Sequence, residues 1–162
     1  MSQNAVNPIP AGFHSLSSHL VCKGAASAIE FYKAAFGATE DFRLTGPNDT
    51  IVHASLRIGD SPLLLTDECP QMGAFSPKHL GGSPVTIHLS VADADAAVTR
   101  AAAAGAKVVM PVTEMFWGAR YGVLQDPYGH SWSVATQVRD LKPAEIQAAM
   151  EKQFCTEFAQ SA

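Results

Sequence analysis

Cysteine is scarce in this 162-residue chain: Cys22, Cys69 and Cys155 are an odd number at wide spacing. Such a set makes a poor disulfide framework, and with no CxxC or CxxH pair there is no zinc signature. The chain reads as a protein of a reducing compartment, the cytoplasm. Charge is sparse too, at 16% of residues, with 11 Lys and Arg against 15 Asp and Glu. A net charge of −4 and the lack of any basic run argue against nucleic acid as a partner. No apolar stretch approaches the roughly 20 residues that span a bilayer, so no membrane partner is expected. The opening MSQNAVNPIPAGFHS has neither a basic start nor an apolar core and does not read as a secretory signal. Also missing are a Ser-His-Asp order, a phosphate-cradling glycine loop and paired carboxylates at glycosidase-like spacing.

What is present is a core-forming hydrophobic content of 47% and an internal repeat. Residues 19–38 read HLVCKGAASAIEFYKAAFGA; residues 88–106 read HLSVADADAAVTRAAAAGA. Both run from His-Leu in a strand-like stretch into an Ala-rich helix closed by glycine. An offset of 69 residues separates them, and the same offset carries Leu64 onto Ser133. A repeat in phase at both ends implies two copies of one supersecondary unit sharing a core, with a ligand groove expected between them.

Patterning fills in each copy. Residues 1–14 read as a flexible arm. Leu16–Lys23 is a strand, followed by a helix over Ala25–Phe36 with its apolar stripe on Ala28, Ile29, Tyr32, Ala35 and Phe36. Gly37 ends it in a left-handed conformation. Glu40–Leu44, Thr50–Ile58 and Ser61–Asp67 are strands, the last two joined across Gly59-Asp60 in a glycine-first turn. Cys69–Pro84 is a linker, with Asp67 and Glu68 expected in solvent at its start. The order then repeats: a strand over Val85–Val91, a helix capped by Asp93 through Ala104, and strands over Val108–Thr113, Tyr121–Gln125 and Ser131–Val138. Asp126-Pro-Tyr-Gly129 is a turn rather than a catalytic carboxylate. Pro143 can start a last helix in the C-terminal helical segment 141–162. Its stripe, Ile146, Met150, Phe154 and Phe158, is suited to docking on the body or on a second subunit.

Strand alternation sorts the chemistry. Thr86, His88 and Ser90 alternate with Val85, Ile87, Leu89 and Val91; His53 alternates with Val52 and Ala54; symmetry with His88 places His19 likewise. His19, His53 and His88 are therefore candidates for a concave, ligand-facing side. Arg120 suits a carboxylate or phosphonate clamp. Phe116, Trp117 and Tyr121 suit a stacking wall. Cys22 falls on the helix-facing side and reads as inert packing.

AIEFYKAAFGA, HASLRIGDS, GGSPVTIHLSVADADA and FWGARYGVLQDPYGHSWSVAT together resemble the vicinal oxygen chelate superfamily, which includes glyoxalase I, bleomycin-resistance proteins and extradiol dioxygenases. The resemblance covers about residues 15–140 and is nearest to the PhnB-like branch. It implies an α+β fold: two tandem βαβββ modules, about 15–68 and 84–138, forming an open barrel-like cleft, plus a C-terminal helix. It also implies a homodimer.

Superfamily enzymes hold a divalent metal on His and Glu from the first and fourth strands of each module. Carried onto this chain, those positions fall on Ser17 or Ser18, Leu64, Thr86 and Ser133, none of which suits a divalent cation. Glyoxalase I activity is therefore not expected. His19 and His88 are the candidates for a shifted metal site.

Three functions follow from the resemblance. The first is a small-molecule binder without the usual metal set, using His19, His53, Thr86, His88, Trp117, Arg120, Tyr121 and Ser133. The others are a metal-dependent lyase or dioxygenase with a His-based site, and a drug-sequestering resistance protein.

Overall fold

A computed structural model describes residues 7–159, with side chains through 155. The first module comprises β1 (Ser18–Cys22), α1 (Ala25–Phe36), β2 (Thr39–Thr45), β3 (Ile51–Ile58) and β4 (Ser61–Asp67). A linker containing the short α2 (Pro77–Leu80) leads to the second, with β5 (Thr86–Ser90), α3 (Ala94–Ala103), β6 (Lys107–Glu114), β7 (Ala119–Gln125) and β8 (Ser131–Gln137). The final helix, α4, spans Pro143–Ala159. The sheets run β1-β4-β3-β2 and β5-β8-β7-β6, each with one parallel pair, β1 with β4 and β5 with β8. This is the expected α+β architecture of two βαβββ modules, and the two sheets do not close into a barrel.

The sequence repeat is also a repeat of strand register. His19 pairs with Leu64 across β1 and β4, and His88 pairs with Ser133 across β5 and β8. Helix capping repeats with different chemistry. Gly24 precedes α1 with no side chain of its own, and the Asp67 carboxylate accepts from the Gly24 and Ala25 amides at 3.2 and 2.7 Å. It also accepts from the Ile51 amide at 2.7 Å. In the second module Thr136 takes this place: its hydroxyl accepts from the Ala94 amide at 2.8 Å and donates to the Val91 carbonyl at 2.9 Å.

Asp67 is therefore a long-range cap rather than a solvated linker residue. Glu68 is likewise engaged, accepting from the Ser76 amide at 2.8 Å and from the Ser76 hydroxyl. It folds the linker back on itself. The linker is not featureless: besides α2 it holds a 3-10 turn at Pro70–Met72.

Alternation divides each sheet into a helix-facing and an open side. Leu20, Cys22, Ala54, Leu56, Leu63 and Leu65 of the first sheet, and Leu124, Trp132 and Val134 of the second, are buried with α1 and α3 in one core. α1 and α3 also pack on each other. Burying residues such as Ile29, Leu56 and Leu65 contributes about 1.5–3 kcal/mol each.

The open sides face away from this core. Near the end of the N-terminal segment, Arg57 donates to the Gly12 carbonyl at 2.9 Å, and the His14 ring meets the Asp60 carbonyl at 3.2 Å. On α4, Ile146 and Met150 are half-buried and Phe154 is exposed; the Phe158 side chain lies outside the described residues.

Candidate functional site

The open face of the second sheet gathers five of the residues named from sequence. On β5, His88 points to this face while its neighbours Ile87 and Leu89 pack toward the core. The His88 Nδ1 and Ser133 Oγ are hydrogen-bonded at 2.8 Å, which fixes the ring over β8. Tyr121 of β7 lies stacked against it, with ring centroids 6.3 Å apart and planes 18° from parallel. Trp117 meets Tyr121 edge-on at 5.5 Å, and Phe116 backs Trp117 at 4.9 Å.

Local backbone explains how Trp117 reaches that position. The Gly118 amide donates to the Met115 carbonyl at 3.0 Å, and Gly118 takes a φ of +88°, reversing the chain just before β7. Thr86, at the start of β5 and in phase with His88, is exposed on the same face. The result is a half-open aromatic wall with a fixed imidazole and a buried hydroxyl beneath it.

The first sheet's open face carries the other two histidines. His19 and His53 meet edge-on at 5.8 Å, and Phe42 lies 5.7 Å from His53. A bulge between Glu40 and Phe42 sets the register in which Phe42 pairs with Ser55. Partial burial, and then the neighbouring His53, hold the His19 imidazole below its ordinary value, so its neutral form is favoured. His19 faces Leu64 where His88 faces Ser133, so it has no matching hydroxyl.

Arg120 joins neither face. It precedes Tyr121 on β7, so alternation sends it to the helix side, where it grips Asp95 of α3 bidentately at 2.7 and 2.8 Å.

The sequence model of the Glyoxalase/Bleomycin resistance protein/Dioxygenase superfamily matches residues 13–134. The chain belongs to this superfamily. Rv0887c of Mycobacterium tuberculosis strain ATCC 25618 / H37Rv is 49% identical over 152 residues, covering 92% of this chain and 87% of that one. The solved structure of At5g48480 from Arabidopsis thaliana is 32% identical, with a TM-score of 0.62 over 76% of this chain and 98% of that one. The PhnB protein of Bacillus cereus shares the fold, with a TM-score of 0.58 at 16% identity over 76% of this chain and 99% of that one.

The superfamily implies a divalent metal, and the donor set tests whether this member's residues fit one. They do not. The inherited positions carry Ser17 or Ser18, Leu64, Thr86 and Ser133. His19 and His88 stand on different sheets. Among the described residues no three His, Cys, Asp or Glu side chains converge. A divalent cation needs several such ligands at once.

One cluster escaped the sequence reading. The DPYG segment is a turn, as expected, but its Asp126 carboxyl is buried and joins the two modules. Asp126 accepts from the Tyr32 hydroxyl at 2.6 Å and from the Trp132 indole at 2.9 Å. It also accepts from the Tyr128 and His130 amides at 2.9 and 3.0 Å. Beside it the His130 Nε2 lies 3.7 Å from the Cys22 Sγ. Burial, then Asp126, pushes the Cys22 thiol up to about 12, so it stays protonated, and the inert-packing expectation holds.

Burial also holds the His130 imidazole below its ordinary value, against the opposing pull of Asp126. A histidine kept neutral by the fold contributes stability that is present above its unfolded value of about 6.5 and lost as pH falls through its lowered folded value. Urea unfolding of the wild type should therefore show stability declining below about pH 6.5, more steeply than in His130→Gln. Equal slopes in the two proteins would contradict this.

Proposed function

We propose that this superfamily member binds a small organic molecule with a planar aromatic part, seated on the open face of the second sheet. The observation that carries the reading is the His88–Tyr121–Trp117 wall, with His88 held by Ser133 and the whole face turned away from the core. Stacked rings supply flat apolar area at low entropic cost, and an imidazole and a hydroxyl supply directional polar contacts. That is equipment for recognition. Among the described residues no three His, Cys, Asp or Glu side chains converge there as a metal donor set.

A homodimer belongs to the same reading. Phe42 and Leu44 leave apolar surface on the first sheet's open side, at 47% and 55% exposure. A second copy presenting that side over the His88 face would bury both surfaces and close the site. A cytoplasmic location fits the three free cysteines.

The test is calorimetric titration against a panel of one- and two-ring aromatic compounds. The strongest binder should lose about 5- to 30-fold in affinity on Tyr121→Ala, the equivalent of ~1–2 kcal/mol. Tyr121 is half-buried on an open face, so the variant should remain folded. A panel with no binder, or affinity unchanged in the variant, counts against the reading.

A further inference from the structure

The two modules repeat, but the space beside each helix is filled differently. Next to α1, Phe31 and Tyr32 meet Tyr128 of the β7–β8 turn at 6.1 and 6.4 Å, and buried His130 closes the gap. At the offset of 69 residues the counterparts of Phe31, Tyr32 and His130 are Arg100, Ala101 and Ser61, in reversed module order. The first hairpin's turn is also shorter: the Arg57–Pro62 pair encloses four residues where Gln125–Ser131 encloses five.

Beside this shorter turn, where Ser61 stands in place of His130, lies a groove of about 740 Å³. Its walls include Phe36, Leu63, Ile87, Leu89 and Trp132, with Arg100 of α3 in its lining. The volume lies within the roughly 300–1,000 Å³ of ordinary ligand sites. Ile87 and Leu89 point to the core side of β5, and His88, whose ring stands on the open side, also borders the groove, so the groove adjoins the aromatic face across β5.

We propose that this groove binds an apolar carboxylate, its chain against the Trp132 and Phe36 walls and its carboxylate on Arg100. Three carboxylate or guanidinium residues line it, and two are already engaged. Asp93 caps α3 by accepting from the Ala96 amide at 2.9 Å. Asp60 accepts from the Ser61 hydroxyl at 2.9 Å and lies 4.0 Å from the His14 ring. Arg100 has no hydrogen-bond or ion-pair partner from its side chain among the described residues. The indole N–H of Trp132 is spent on Asp126, so that wall offers only carbon to the groove. A guanidinium at the edge of an apolar trough matches a ligand with one anionic end, to which it can donate two parallel hydrogen bonds.

The sequence holds two tryptophans, so Trp117→Phe leaves Trp132, buried in the groove's wall, as the reporter. Decanoate, decanol and decyltrimethylammonium, each below its micelle concentration, would be titrated into that protein. Decanoate should shift Trp132 emission saturably and bind about tenfold or more tightly than the other two. Adding Arg100→Gln should weaken decanoate to the level of decanol, the loss expected for one charge-assisted contact. Ser61→Phe, which fills the groove from its turn, should remove the decanoate response without touching Arg100. No saturable response to decanoate would overturn the proposal. So would equal affinity for the three probes, or a decanoate affinity unchanged by Arg100→Gln. The aromatic face is tested apart from this by Tyr121→Ala, since Tyr121 and Trp117 do not line the groove.

Discussion

Replacing Asp126 with alanine should destabilise the protein by about 3–5 kcal/mol and lower its melting temperature by on the order of 10 °C. The Asp126 carboxyl is 4% exposed and accepts four hydrogen bonds, two of them from the Tyr32 hydroxyl and the Trp132 indole. Removing it leaves those two donors buried without an acceptor, at about 1–3 kcal/mol each, and frees the turn amides of Tyr128 and His130 as well. The cost is large because the contact spans modules: Tyr32 is on α1 and Asp126 follows β7. Asp126→Asn keeps one acceptor oxygen and should lose about half as much. Urea unfolding followed by tryptophan emission measures both. A loss under about 1 kcal/mol for the alanine variant would show that the network does not hold the modules together.

Gly118→Ala should cost about 2–4 kcal/mol and disturb the aromatic face at the same time. Gly118 has a φ of +88°, and a Cβ there would stand 2.7 Å from the Arg139 carbonyl oxygen. The Gly118 carbonyl also accepts from the Val138 and Arg139 amides, both at 2.9 Å, tying the exit of β8 to the turn that carries Trp117. A methyl group must therefore push either the turn or the following chain. Unfolding by urea should show the loss of stability, and the near-ultraviolet dichroism of Trp117 should change with it. A variant as stable as wild type would mean that the turn gives way without cost.

Much of the architecture was legible because it rests on local signals. The α1 bounds match the sequence reading, since the Ala-rich stripe and Gly37 fix both ends. Asp93 caps α3 as expected, through the Ala96 amide. The 69-residue offset appears in both parallel strand pairings. What failed was long-range. Nothing near Asp126 in sequence announces a tyrosine 94 residues away. Asp67 and Glu68 looked like linker residues because their partners are amides elsewhere in the chain.

Arg120 is a different case, because a signal was present. Adjacent residues of one strand cannot share a face, so Arg120 and Tyr121 could not both line the same wall. The groove beside Arg100 was also visible in principle. Aligning the two copies sets Phe31 against Arg100 and His130 against Ser61, and Arg100 and Ser61 both line the groove.

The most direct test of the central claim is nuclear magnetic resonance of 15N-labelled protein titrated with the strongest aromatic binder. Two indole N–H resonances, those of Trp117 and Trp132, report the two sides of the second sheet. Binding on the open face predicts a shifted Trp117 indole together with the His88 and Tyr121 amides, while the Trp132 indole, held by Asp126, stays in place. A shift at Trp132 with Trp117 unmoved would contradict the account.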